Sequence, residues 1–552
     1  HVLLNHKAEL IENNGIIDVF NGDTIRHITR PTAIYSNYLD AATHPKYLGS
    51  AKERENLFGL LYGLHETLRA EGSDSYIPYE ISDLLKNDVP YFSHKANEKV
   101  VMHSNSEPIL ETFRHTAIER AKVVIERLSE EDLQQQLRYI YLSLNTLKGN
   151  LDESKPTSLH AEQPSKEVDL RQDIRKIAED IISKASMHKG RPFWITNKLE
   201  GKKIIFSTLQ LDMYDGLSGL GIFYAQAGRV LNDSKYTETA HQILSIIQEI
   251  EQVYVEESDS ISAYSGVGSL VHLYTYVGNL WGDDSLLENA EHLLVQISEK
   301  LIRNNHHLKT DFISGLAGLL KVATNLYSLR RSSAVNDCLQ LIYSKLYNNC
   351  TLLLKGELQS DNVFAGFSHG FTGIAYSLSQ YLKFSDEKED VANLIKLLLN
   401  KENEYFVPEY NNWRDIRDND REMSPKYWCH GSPGILLGRM KIQDEIKMEF
   451  DNILKIEEAL MGTLDISNYN NHSICHGMMG NTLILDEYLN INEDVQACRI
   501  LKEWKNNLGS PWVNAAYNEA ELLGLFLGES GFGYGLLKLE DKDVPSILTL
   551  DI

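Results

Sequence analysis

Two kinds of apolar pattern alternate along most of this chain. In stretches such as KYTETAHQILSIIQEIEQVY and DSLLENAEHLLVQISEKLIRNN, apolar residues recur every three or four positions with charges between them. That spacing lays one apolar stripe along an α-helix and predicts helices with one buried and one wet face. Between them lie shorter, almost uniformly apolar segments, each opened by glycine: YDGLSGLGIFYA, YSGVGSLVHLY, ISGLAGLLKVA, SHGFTGIAYSL, CHGSPGILLG, CHGMMGNTLIL and LGESGFGYGLL. Segments apolar on all sides predict helices buried on most sides.

The seven leading glycines are Gly216, Gly266, Gly315, Gly370, Gly431, Gly477 and Gly528, spaced 46 to 61 residues apart. Each interval holds about two helices and their loops, and a repeat of this length signals stacked helical units. Seven alternating outer and inner helices predict a mainly α fold, an α/α toroid, with all the glycine turns on one rim. Glycine before a helix lets backbones approach closely and permits positive φ. The second repeat departs from the pattern, with GVGS where the others carry G-x-x-G.

The toroid is expected over residues 166–552, its first outer helix within DLRQDIRKIAEDIISKASMHK. Residues 1–150 are expected to form a separate, mostly helical domain. Between them, LDESKPTSLHAEQPSKEVDL is rich in Ser, Pro and charge and poor in bulky apolar groups. It reads as a linker, assigned to 151–165.

Charge narrows the partners. With 54 Lys and Arg against 78 Asp and Glu, the net charge is −24, which speaks against nucleic acid because such binding depends on clustered cations. A peptide or small molecule fits better. No apolar run approaches the roughly 20 residues of a membrane span, and the first residues lack a signal-peptide pattern, so a cytoplasmic protein is expected. The chain begins with His1, as expected of a fragment or a processed chain. Five cysteines in 552 residues suggest buried thiols or metal ligands rather than a disulfide framework.

Cys429 and Cys475 occupy the same position in consecutive repeats, and His476 follows the second. If the turns share one rim, these side chains converge. Two thiolates and an imidazole suit Zn²⁺ and leave its fourth position for water or substrate. Two buried structural thiols would also satisfy the spacing, but equivalent placement in neighbouring repeats favours zinc. Cys338, Cys350 and Cys498 have no such setting and are expected to be small buried residues of outer helices.

The seven glycine repeats, with GFSHGFTGIAYSL, WCHGSPG and ICHGMMG, resemble the lanthionine synthetase C-like cyclases. The resemblance implies an α/α toroid with one zinc ion held by Cys429, Cys475 and His476. It also implies an active-site histidine at His369 and an aspartate at Asp311. Asp215 of YDGLSG is likewise an acid in a repeat turn, and either aspartate could instead cap a helix. His430, beside Cys429, is a further candidate or a hydrogen-bonding neighbour of the site.

Near the N-terminus, IRHITRPTAIYSNYLDAATHPKYLG and EISDLLKNDVPYF resemble the late part of the kinase-like dehydratase domain of class II, bifunctional lanthipeptide synthetases. Those enzymes phosphorylate Ser and Thr of a ribosomally made precursor peptide and then eliminate phosphate. Arg26 and Thr32 match positions implicated in elimination, with Arg30 between them. A guanidinium is shaped to hold a phosphate leaving group, but an Arg beside RPT equally suits the anchoring of a helix start, with Pro31 in its first turn. The nucleotide-binding parts expected upstream are not visible. ATP and Mg²⁺ would therefore serve the full-length dehydratase and not this chain.

The chemistry implied is thioether formation. A peptide cysteine, with an ordinary pKa of about 8.5, must become a thiolate and attack the β-carbon of dehydroalanine or dehydrobutyrine. Zinc would favour the thiolate, and His369, oriented by Asp311, would carry a proton. Two rivals stand beside this reading. One is a zinc hydrolase on the same toroid; the other is a peptide- or thiol-binding protein whose metal is structural.

Overall fold

The computed structural model describes residues 1–12, 15–63, 73–149, 151, 169–188, 190–303, 308–357, 364–415, 425–446, 451–464, 469–506, 508 and 512–552. The chain divides into two compact units, His1–Arg138 and Tyr139–Ile552. The linker expected at 151–165 lies outside the described residues except for Leu151.

The first unit carries a four-stranded antiparallel sheet, Thr24–His27, Phe92–Lys95, Val100–His103 and Pro108–Thr112, paired in that order. Its main helices are Thr32–Ala41, Ala51–Gly59, Ile77–Leu85 and Ala117–Arg127. Tyr35, Leu57, Phe58, Leu61, Ile77 and Leu84 form one of its cores. Beside that core Arg30 Nε donates to Glu80 Oε2 at 2.9 Å, and Glu80 Oε1 accepts from Thr29 and Tyr35. Both side chains of the ion pair are fully buried. The aromatic and β-branched residues of these short strands pair across the sheet and have no long period, which hides them from a search for helical stripes.

In the second unit the seven glycine segments form seven inner helices: Leu217–Leu231, Gly268–Trp281, Leu316–Leu329, Phe371–Tyr381, Ser432–Glu445, Met478–Ile491 and Glu529–Glu540. Each packs against the next, and the last packs against the first, so the ring closes. Outer helices lie at Leu170–Ser183, Ser234–Glu257, Asp284–Arg303, Ser333–Leu354, Lys388–Asn403, Ile456–Leu464 and Val495–Asn506. The first of these packs mainly against the last inner helix. Two antiparallel hairpins, Ser186–His188 with Arg191–Phe193 and Ile195–Glu200 with Lys203–Thr208, precede the first inner helix.

The residue three before each leading glycine is wholly buried: Met213, Ala263, Phe312, Phe367, Trp428, Ile474 and Leu525. Several of their rings meet those of Tyr264 and Phe526 in one aromatic cluster at the centre. The second glycine of G-x-x-G is dictated by the carbonyl of that same residue. A Cβ at Gly373 would stand 2.0 Å from Phe367 O, and one at Gly531 1.7 Å from Leu525 O. In the second repeat Ser269 takes this place, and its hydroxyl donates to Gly266 O. The C-terminal segment is fastened among the inner helices. Leu548 O accepts from Tyr264 Oη at 3.2 Å, Leu550 O from Asn325 Nδ2 at 2.5 Å, and Thr549 O from Tyr376 Oη at 3.3 Å.

Cys338 and Cys350 are buried on the outer helix Ser333–Leu354, as expected. Cys498 sits on an outer helix but is exposed, on the wet side of Val495–Asn506, where Ala497, Leu501 and Trp504 form the buried face. No helix among the described residues is long and apolar enough to cross a membrane.

Candidate thiol and histidine site at the rim

Cys475 and His476 lie in the turn before Met478–Ile491 and not within the helix, so their side chains escape the divergence that helical geometry would impose on neighbours. Gly477 makes this turn possible, because a Cβ there would stand 2.3 Å from Asn471 Oδ1 and from Ser473 N. Gly431, after Cys429 and His430, has φ +96° and no room for a Cβ against Pro425 O. A side chain at either glycine would displace the thiols.

The Cys475 thiol hydrogen-bonds with both Cys429 and His476. The Cys429 contact and burial push its pKa well above the ordinary cysteine range, and the imidazole of His476 partly opposes them. Two thiols held together in a buried place disfavour each other's ionisation, and a bound cation would reverse that. The donor set fits a borderline-soft dication such as Zn²⁺, which Cys429, Cys475 and His476 would hold. Among the described residues, no three His, Cys, Asp or Glu side chains already close into metal-ligating geometry.

Next to the thiols, His369 Nδ1 lies 2.7 Å from Asp311 Oδ2, and Asp311 Oδ1 accepts from the Ser314 backbone N–H at 2.7 Å. Asp311 is buried, while the imidazole is 31% exposed. A carboxylate so fixed holds Nδ1–H and leaves Nε2 to face outward as an acceptor. The His369 ring stacks on buried His430, with centroids 5.4 Å apart. Ser368 Oγ donates to Cys429 O at 3.1 Å, and the backbone of Phe312 and Ile313 donates to Ser368 O. The third, fourth and fifth repeats are thus stitched together at the rim.

Tyr214 was not singled out from the sequence, yet it belongs to the site. Its hydroxyl hydrogen-bonds with Cys475, and its ring stacks on Phe526 at 4.9 Å with an interplanar angle of 6°. Burial, first, and then the thiol of Cys475, with Asp215 and Cys429, hold the phenol well above its usual pKa, so it is protonated and can donate to sulfur. Backbone bonds from Phe526 N to Tyr214 O and from Cys475 N to Phe526 O lock the three together. The signal was present in the alignment, where Tyr-Asp-Gly of the first repeat stands where Cys-His-Gly stands in the sixth.

The family model of lanthionine synthetase C-like proteins matches residues 207–550, more than half of the chain. The chain belongs to the lanthionine synthetase C-like family. A second family model, a domain of unknown function (DUF4135), matches residues 1–95. The lacticin 481/lactococcin biosynthesis protein LcnDR2 of Lactococcus lactis subsp. lactis is 25% identical over 553 residues, which cover 93% of this chain and 55% of that protein. This lanthionine synthetase C-like chain thus spans about half the length of that curated relative. Nisin cyclase, a solved structure, aligns with a TM-score of 0.45 and 19% identity over 60% of this chain and 89% of its own.

In the first unit, Arg26 is exposed on the strand Thr24–His27, 5.7 Å from the Tyr91 ring centroid, and Thr32 is the exposed first residue of Thr32–Ala41. Arg30 is turned inward to Glu80. Pro31 stands one residue outside the helix, at its N-cap.

Proposed function

We propose that this chain is a zinc-dependent cyclase. It adds cysteine thiols of a ribosomally made precursor peptide to dehydroalanine and dehydrobutyrine residues, forming lanthionine and methyllanthionine rings. The observation that carries the proposal is the contact of Cys475 with both Cys429 and His476, beside the His369–Asp311 pair. Cys429, Cys475 and His476 would hold a zinc ion, which when bound would favour the thiolate form of a substrate thiol. Asp311 fixes His369 with one nitrogen outward, so that the imidazole can take the thiol proton or return one to the α-carbon. His430 backs the ring of His369 and restricts its rotation. Tyr214 donates to Cys475 sulfur and withdraws charge from it, as a neighbour that tunes a metal ligand does.

The first unit is proposed to be the late part of a class II dehydratase, with Arg26 and Thr32 serving phosphate elimination in a longer enzyme that uses ATP and Mg²⁺. The match to LcnDR2 along nearly the whole chain supports that placement.

The test uses the 552-residue chain and a precursor peptide dehydrated beforehand. Cyclisation consumes free thiols at unchanged mass, as read by alkylation and mass spectrometry. Elemental analysis should find one zinc per chain, and Cys475→Ala should lose both metal and cyclisation. Addition of water to the peptide would instead support the hydrolase, and binding without turnover would support the structural-metal protein.

A further inference from the structure

The repeat symmetry that brings the thiols together also places a second acid at the rim. The residue immediately before each leading glycine is Asp215, Ser265, Ser314, His369, His430 or His476 in the first six repeats. All but His430 keep part of their surface exposed, whereas the residues two positions earlier in the same repeats are wholly buried. The one position points toward the open rim and the other toward the aromatic core. Asp215 therefore stands in the first repeat where His369 stands in the fourth and His476 in the sixth.

Three further observations bear on it. The N-cap of the inner helix Leu217–Leu231 is Gly216, so Asp215 stands one residue outside the capping position. The acid that shapes this turn is Asp212, whose Oδ1 accepts from the Asp215 backbone N–H at 2.9 Å. Its neighbour Tyr214 reaches Cys475 sulfur, which ties the first repeat to the thiol site.

We propose that Asp215 is a second catalytic proton-transfer group at this rim, which delivers a proton to the α-carbon of the dehydroamino acid while His369 takes the proton of the thiol. The inference rests on the cyclase reading above. Burial and the negative charge of Asp212 push the Asp215 carboxyl up to about 7, with Lys198 opposing, so a protonated form is available near neutral pH. Tyr214 adds no cation there, being held as a neutral phenol. On the seventh repeat, Gly524 lies directly against it, since a Cβ there would come within 2.9 Å of Asp215 Oδ1. A carboxyl kept neutral and an imidazole oriented by a carboxylate form an acid and base pair whose environments separate their roles.

The balance is simple. The S–H bond breaks and its proton goes to His369, the S–Cβ bond forms as the Cα=Cβ π pair moves to the enolate, and the Asp215 proton bonds Cα. The product gains no atoms beyond those of thiol and alkene. Water then carries one proton from His369 back to Asp215.

The test compares wild type with Asp215→Asn and Asp215→Ser on a pre-dehydrated peptide in H₂O and D₂O. Serine occupies the equivalent position in the second and third repeats, so Asp215→Ser keeps the test open if the asparagine variant folds poorly. Zinc content is expected to be unchanged, and ring formation to slow by roughly 100-fold. The fall of wild-type rate between about pH 6 and 8 should disappear in both variants, and α-deuteration should lose its single stereochemical outcome. Rates within twofold of wild type across that range, with one stereoisomer retained, would overturn the role of Asp215 alone. A wild-type chain that binds zinc but forms no ring would overturn the cyclase reading and this inference with it.

Discussion

Asp311 holds His369 with one carboxylate oxygen, at 2.7 Å, and uses the other to accept the Ser314 backbone N–H. The aspartate cannot rotate without breaking a part-buried backbone bond, so it holds the imidazole by Nδ1 and favours the tautomer protonated there. His369→Ala should lower cyclisation by about 10²–10⁴-fold with zinc retained. Asp311→Asn should lower it to a similar degree, because an amide has one accepting oxygen for two donors and its NH2 would face either the Ser314 N–H or His369 Nδ1, favouring the wrong tautomer. Thiol consumption followed beside elemental analysis checks both. Loss of zinc in His369→Ala would make that histidine a ligand instead.

The Glu529 carboxyl at the start of the seventh inner helix is pushed up to about 7 by burial, against the attraction of Lys184. The folded chain therefore holds this proton where the unfolded chain, with an ordinary glutamate, has released it. Stability from this group is full below about pH 4.5 and is lost as pH rises through 7, by about 3 kcal/mol. Glu529→Gln should flatten that loss. Urea midpoints of wild type and variant at pH 5 and pH 8 give the comparison, and parallel pH dependences would refute it.

Gly373 faces Phe367 O so closely that a methyl group would stand 2.0 Å from it. Gly373→Ala must push the fourth inner helix away from its own turn, which carries His369. A loss of about 3 kcal/mol in denaturant unfolding is expected, together with lower cyclisation. An alanine variant of wild-type stability would show that the turn yields more easily than its packing implies.

The inner ring was legible because its constraint is local and repeated. Each G-x-x-G is demanded by one carbonyl six residues before the second glycine, and each following helix opens on a run of apolar and small residues that is buried on nearly all sides. Cys429, Cys475 and His476 were legible through their register within that repeat. The four-stranded sheet of the first unit was not, since its strands are four or five residues long and their partners are distant in sequence. Tyr214 was hidden for a different reason. A tyrosine two before a glycine looks like core, as Tyr264 in fact is; only its meeting with Cys475 across Phe526 separates the two. The inward turn of Arg30 depended likewise on Glu80, fifty residues away.

The first outer helix, Leu170–Ser183, leans on the last inner helix, Glu529–Glu540, which fastens the band like a clasp. An open solenoid can lose an end unit and keep the rest, because each unit needs only its neighbours. A clasped band has no dispensable unit. The first repeat lends its tyrosine to a cysteine of the sixth, so the paired thiols of Cys429 and Cys475 have all their neighbours only once the whole circle has shut.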